Sequence, residues 1–126
     1  MAVEILIVDD EAEFAETLAE RLELRGFIAR AANSGEQALK ILEQGAAAKI
    51  MLLDLKMPGM DGYEVLRCVK KSYPEIEVII LSGHGSEIDE SFGRSLGAFD
   101  YLRKPADIGY ILDVVKRAER LLADKK

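Results

Sequence analysis

Along the chain, short apolar runs alternate with longer stretches in which apolar residues recur every three or four positions. Residues 5–8, 50–53 and 78–81 are unbroken runs of Ile, Val, Leu and Met, with shorter candidates at 27–31 and 99–102. Runs of this length bounded by turn formers read as strands, and the spacing that follows each reads as a helix.

The helical stretches carry their own start and stop signals. Phe14, Leu18 and Leu22 lie four apart, with Ala15 and Ala19 beside them, and this stripe stops near Gly26. Ser34 with Gln37 has capping-box spacing ahead of Ala38, Leu39 and Leu42, and Gly45 closes that segment. Asp61 with Glu64 repeats the start signal before Val65, Leu66 and Val69, and Pro74 marks the exit. Ile88, Phe92 and Leu96 are again four apart, ended by Gly97, while Ile108, Ile111, Leu112, Val115 and Leu122 line a last helix ending near residue 123. The lysines at 125 and 126 read as a frayed end. The pattern predicts an α/β (βα)5 fold, with helices on both faces of a parallel sheet; burial on both faces explains why the central strands are uniformly apolar.

The chain's 126 residues are enough for one packed core and too few for two typical domains, so a single domain spanning 1–126 is expected. The apolar runs are too short for a membrane span, and the start lacks the basic-then-apolar order of a secretory signal. A net charge of −6 without a basic stripe argues against direct binding to nucleic acid. One cysteine, Cys68, removes any internal disulfide, and a cytoplasmic location is expected.

In an open parallel sheet, ligands collect outside the carboxyl ends of the strands. Asp9, Asp10 and Glu11 follow the first run, Asp54 the third, Ser82-Gly83-His84-Gly85 ends the fourth, and Lys104-Pro105 follows the fifth. Taken singly, each has an ordinary explanation: Asp9 or Asp10 as a helix cap, Asp54 as a loop carboxylate, Ser82 as a turn residue, Lys104 as a surface charge. Together they place three carboxylates, a hydroxyl and an ammonium on one rim. Crowded carboxylates repel by roughly 4 kcal/mol per pair at an effective dielectric near 20 and about 4 Å, a cost that a divalent cation removes. All-oxygen ligands suit Mg2+, with Mn2+ as an alternative ion, whereas one histidine and one cysteine do not make a zinc site. Next to such an ion Asp54 has the makings of a nucleophile towards phosphorus, with Ser82 and Lys104 binding the other oxygens.

These residues resemble the receiver domain of bacterial two-component response regulators. The resemblance runs through "ILIVDDE" (5–11), "LLDLKMPGMDG" (52–62), "VIILSGHG" (78–85) and "GAFDYLRKP" (97–105). It implies a chemotaxis-type flavodoxin-like fold with strand order 2-1-3-4-5, Asp54 as phosphoacceptor, and a metal held by Asp9, Asp10, Asp54 and the Lys56 backbone carbonyl. It also implies phosphoryl binding by Ser82 and Lys104, a switch pair of Ser82 and Tyr101, a cis peptide between Lys104 and Pro105, and a site rim at Gly83 and His84. By the same resemblance the partners are a sensor histidine kinase or phosphotransfer protein and a downstream effector or output domain, together with a phosphorylation-dependent homodimer. The output surface would be the fourth helix, fifth strand and fifth helix. The domain would be no enzyme beyond its own phosphorylation and dephosphorylation.

Three rival readings share the fold or parts of the chemistry. A haloacid-dehalogenase-like phosphatase needs a second carboxylate two residues after the nucleophile, where Lys56 stands. A flavodoxin-type FMN module needs a phosphate-cradling first loop, and "DDEAEF" would repel one. A degenerate receiver acting as a phosphorylation-independent interaction module is the remaining alternative. His84 between two glycines reads as a rim residue, and Cys68 beside Val65, Leu66 and Val69 as a half-buried structural thiol.

Overall fold

In the computed structural model, described for residues 2–83 and 87–124, five strands and five helices alternate. The strands are β1 (Glu4–Val8), β2 (Ile28–Ala32), β3 (Ile50–Leu53), β4 (Glu77–Ser82) and β5 (Asp100–Arg103). The helices are α1 (Ala12–Glu23), α2 (Gly35–Glu43), α3 (Gly62–Ser72), α4 (Glu87–Ser95) and α5 (Ile108–Asp124). All neighbouring strands pair in parallel, in the order β2-β1-β3-β4-β5. The flavodoxin-like arrangement expected from the sequence is therefore the observed one. Among the described residues no helix is long and apolar enough to cross a membrane.

Side chains alternate across a strand, so each central strand feeds two cores. Ile5, Ile7, Ile50, Leu52, Ile79 and Leu81 point to the face covered by α1 and α5. Leu6, Val8, Met51, Leu53, Val78 and Ile80 point to the other face, where α2 and α3 pack through Ala38, Leu42, Val65, Leu66 and Val69. α4 approaches this second face through Gly93, where a Cβ would come 2.6 Å from the Ile80 Cδ1.

The predicted caps form with one refinement. Ser34 accepts from the Gln37 N–H, and Gln37 in turn accepts from Asn33 rather than from Ser34 itself. Asp61 accepts from the Glu64 N–H at 3.1 Å. β2 and β5 each begin and end one residue later than their apolar runs: Phe27 and Phe99 pack into or against the core from just ahead of the ladder. β4 extends outward to include Glu77 and Ser82. α5 ends at Asp124, and the lysines at 125 and 126 lie outside the described residues, as does His84.

Candidate functional site: a carboxylate cluster at the strand ends

Backbone ladders carry on past the strands and set the rim in register. The Asp9 N–H donates to the Ala32 carbonyl, the Asp54 N–H to Val8 and the Lys104 N–H to Ser82. Residues from all five strand ends are thus fixed by hydrogen bonds of 2.9–3.0 Å before any side chain is considered. The Lys104–Pro105 peptide is cis.

Onto this frame the structure brings Asp9, Asp10 and Asp54 together, with one carboxylate oxygen of each within 4.8 Å of the others. Asp9 and Asp54 are buried and Asp10 is exposed, so the cluster opens to solvent on one side. Asp9 does not cap α1 in the ordinary way. The helix N-cap is Glu11, whose side chain makes no cap bond, while Asp9 Oδ1 accepts the Glu11 N–H at 2.9 Å and so fixes the turn out of β1. Asn33 donates to the Asp9 carbonyl at 3.4 Å.

Lys104 reaches into the same space and is itself largely buried. Its Nζ donates to Asp9 Oδ2 at 2.6 Å and to Glu11 Oε1 at 3.2 Å. Burial works against the ammonium charge, yet the hydrogen bond and charge of Asp9, with Glu11 and Asp54 behind, outweigh it and raise the Lys104 pKa above its ordinary value. Asp54 is also raised, first by burial and then by the Asp9 charge, and only partly relieved by Lys104, the Ser82 hydroxyl and the Lys56 backbone N–H. Its Oδ1 is buried without a hydrogen-bond partner.

A buried carboxylate oxygen with no donor, facing two more carboxylates, is an acceptor position that a hard cation fills. The donor set is all oxygen. The residues present therefore fit Mg2+ or Mn2+, and they do not fit a thiophilic metal.

Ser82, at the end of β4, is buried beside Asp54, and Gly83 follows it at the surface, with Lys104 as its neighbour. Lys56 is exposed on the loop after β3. Tyr101 on β5 is 6% exposed, its ring packed in the second core with the Arg103 guanidinium 5.9 Å from its centroid. Cys68 is half-buried on α3.

Some participants had no signal of their own in the sequence. Phe14 presents its ring to the Lys104 ammonium, 4.3 Å from the centroid. Tyr63 on α3 donates its hydroxyl to Asp89 Oδ1 on α4 at 2.8 Å and stacks edge-on against Phe92. Together with Leu55, Lys56, Met57, Pro58 and Asp61, the Tyr63–Asp89 pair walls a cavity of about 430 Å3 beside the β3–α3 loop. Phe14 read only as a core residue, and no spacing connects residue 63 to residue 89.

Comparison with known proteins identifies the architecture. Over 101 residues the chain is 42% identical to the transcriptional regulatory protein CpxR of Escherichia coli strain K12, covering 80% of this chain and 42% of that one. Over 118 residues it is 37% identical to an NtrX-like response regulator of Rickettsia bellii, covering 92% of this chain and 24% of the relative. The chain thus spans less than half the length of these curated relatives. A CheY-like receiver domain protein from Methanospirillum hungatei superimposes over the whole of both chains with a TM-score of 0.95 at 26% identity. The sequence model of the response regulator receiver domain matches residues 5–116, a span that holds every rim residue described above, and the chain belongs to that family.

Proposed function

We propose that this domain is a phosphorylation switch in which Asp54 accepts a phosphoryl group from the phosphohistidine of a sensor kinase or phosphotransfer protein. The observation that carries the reading is the buried, unpartnered Asp54 Oδ1 among Asp9, Asp10 and Lys104. Asp9, Asp10, Asp54 and the Lys56 carbonyl would hold Mg2+. When bound, the ion supplies positive charge that lessens the repulsion between the carboxylates and an incoming phosphoryl group.

The chain's own groups do the rest. An Asp54 oxygen forms the new P–O bond as the P–N bond to the donor imidazole breaks, and the bonding pair returns to that nitrogen, which takes up a proton. Ser82 and Lys104 bind the phosphoryl oxygens, the lysine as a point charge. Lys104 and Ser82 sit at adjacent strand ends, joined by a backbone hydrogen bond, so a shift of one is felt by the other. Ser82 moving towards the phosphoryl group leaves space that Tyr101 fills, and that pair biases the α4–β5–α5 face between two arrangements. The partners are then the kinase on the input side and, on the output side, an effector, an attached output domain or a second copy of the domain. The compartment is the cytoplasm.

Incubation with Mg2+ and acetyl phosphate tests the reading. Intact mass is expected to rise by one phosphoryl group in the wild type and to stay unchanged in Asp54→Asn. Equal labelling of the two proteins, or none in either, overturns it.

A further inference from the structure

Lys104 is held by three groups, and the third is aromatic. Two of its N–H bonds go to Asp9 and Glu11. The remaining face of the ammonium lies against Phe14, 4.3 Å from the ring centroid. The two carboxylates differ in grip: the Asp9 side chain is 3% exposed and the Glu11 side chain 68%, so the second contact is open to water and screened. Phe14 is partly buried against the α1–α5 core, its ring anchored from below by that packing. It enters from the first turn of α1, one turn beyond Asp10, where the chain has just left the carboxylate cluster.

We infer that Phe14 is a positioning residue for Lys104, holding the ammonium by its ring face at the rim of the site so that it transfers from Glu11 to a phosphoryl oxygen without being rehydrated. The inference rests on the phosphoacceptor reading above. A lysine stem is flexible, and an ammonium is strongly hydrated when free. To serve a phosphoryl group, Lys104 must exchange at least one carboxylate contact for a phosphoryl oxygen. A ring face imposes no directional hydrogen bond and leaves free the donor that the phosphoryl group needs, so its hold counts for more once Lys104 has left Glu11, which competes with the phosphoryl group for that donor. An aliphatic residue at position 14 would fill the same core volume and offer no such hold.

The test uses the full chain and three variants, Phe14→Leu, Phe14→Tyr and Lys104→Ala. The first readout needs no phosphoryl group: the Lys104 ε-methylene protons in the wild type are expected to resonate upfield under the ring, to return to the ordinary lysine position in Phe14→Leu, and to stay upfield in Phe14→Tyr. The second is the beryllofluoride titration in saturating Mg2+, followed by amide spectra. Phe14→Leu is expected to bind roughly three- to tenfold more weakly, the range that a cation–π contact supports. Phe14→Tyr should bind as the wild type does, and Phe14→Leu should add nothing in the Lys104→Ala background. Wild-type affinity in Phe14→Leu, or equal loss in the leucine and tyrosine variants, overturns the role of Phe14 and leaves the phosphoacceptor reading standing. A wild type that does not respond to beryllofluoride overturns both.

Discussion

Asp54 stands where its surroundings oppose its own charge. Burial and the Asp9 carboxylate raise its pKa above 3.8, and the donors around it offset this only in part. For a carboxyl with a raised folded pKa, the stabilising contribution is complete below the unfolded value and is lost as pH rises through the folded one. At pH 7, then, the metal-free wild type carries the cost of an ionised Asp54. Asp54→Asn is expected to unfold at a higher temperature at pH 7, with the gap narrowing as pH falls towards 3.8. Thermal denaturation in a chelator across that range measures it, and a lower midpoint for the variant at pH 7 would count against the electrostatic account. Magnesium should move the comparison back towards the wild type. At ten times its dissociation constant a ligand specific for the folded state adds about 1.4 kcal/mol, and Asp54→Asn should lose most of that gain.

Among the elements, the contact between α3 and α4 is narrow and specific. Tyr63 bridges it, and burial first, then the hydrogen bond to Asp89, push its phenol pKa well above 10.0. The pair's contribution is therefore complete below pH 10 and declines as pH rises further, since the unfolded chain ionises first. Tyr63→Phe is expected to cost about 1 kcal/mol at pH 7 in chemical denaturation, and the difference should shrink above pH 10. At the start of α3 the constraint is steric. A Cβ on Gly62 would lie 2.4 Å from the Asp54 carbonyl oxygen and 2.6 Å from the Leu55 Cα, so Gly62→Ala must shift backbone that the site depends on. A loss of about 3 kcal/mol, with weaker Mg2+ binding, is the expected result. These cases also mark what could be read from the chain in advance. Ile50 to Leu53 announced a central strand because burial on both faces demands four apolar residues in a row, and Asp54 stood out against them. Ser34 and Asp61 announced their helices because capping is local. Phe14 on Lys104, 90 residues away, and Tyr63 on Asp89 left no trace, because a lone aromatic serves core and site alike and the distance between helices is set only by packing.

At the scale of the molecule, two cores clamp a sheet whose polar end carries the carboxylate cluster, and β5 links that end to the surface. Lys104 follows β5 directly, and Tyr101 lies within it. At the start of the same strand Asp100 accepts from Arg94 of α4 at 2.8 Å and from Arg117 of α5 at 3.4 Å. One carboxylate thereby fastens both flanking helices to the strand. A displacement at the Lys104 end can then reach α4 and α5 together, as the proposed phosphorylation switch through this face would require. The fastening is electrostatic and open to water, since both arginine side chains are nearly half exposed. Its strength should therefore follow the ionic strength of the solution. Asp100→Asn retains an oxygen to accept the Tyr101 N–H, a bond of 2.8 Å in the structure, and removes the charge together with the Oδ2 acceptor of Arg117. The substitution is expected to cost about 0.5–1 kcal/mol in dilute buffer and close to nothing in 1 M salt, where the screening length is about 3 Å. Urea unfolding of both proteins at the two salt concentrations gives the comparison. A loss that salt leaves unchanged would mean that Asp100 holds the face by packing or hydrogen bonding, and the charge-based link between β5 and its two helices would have to be abandoned.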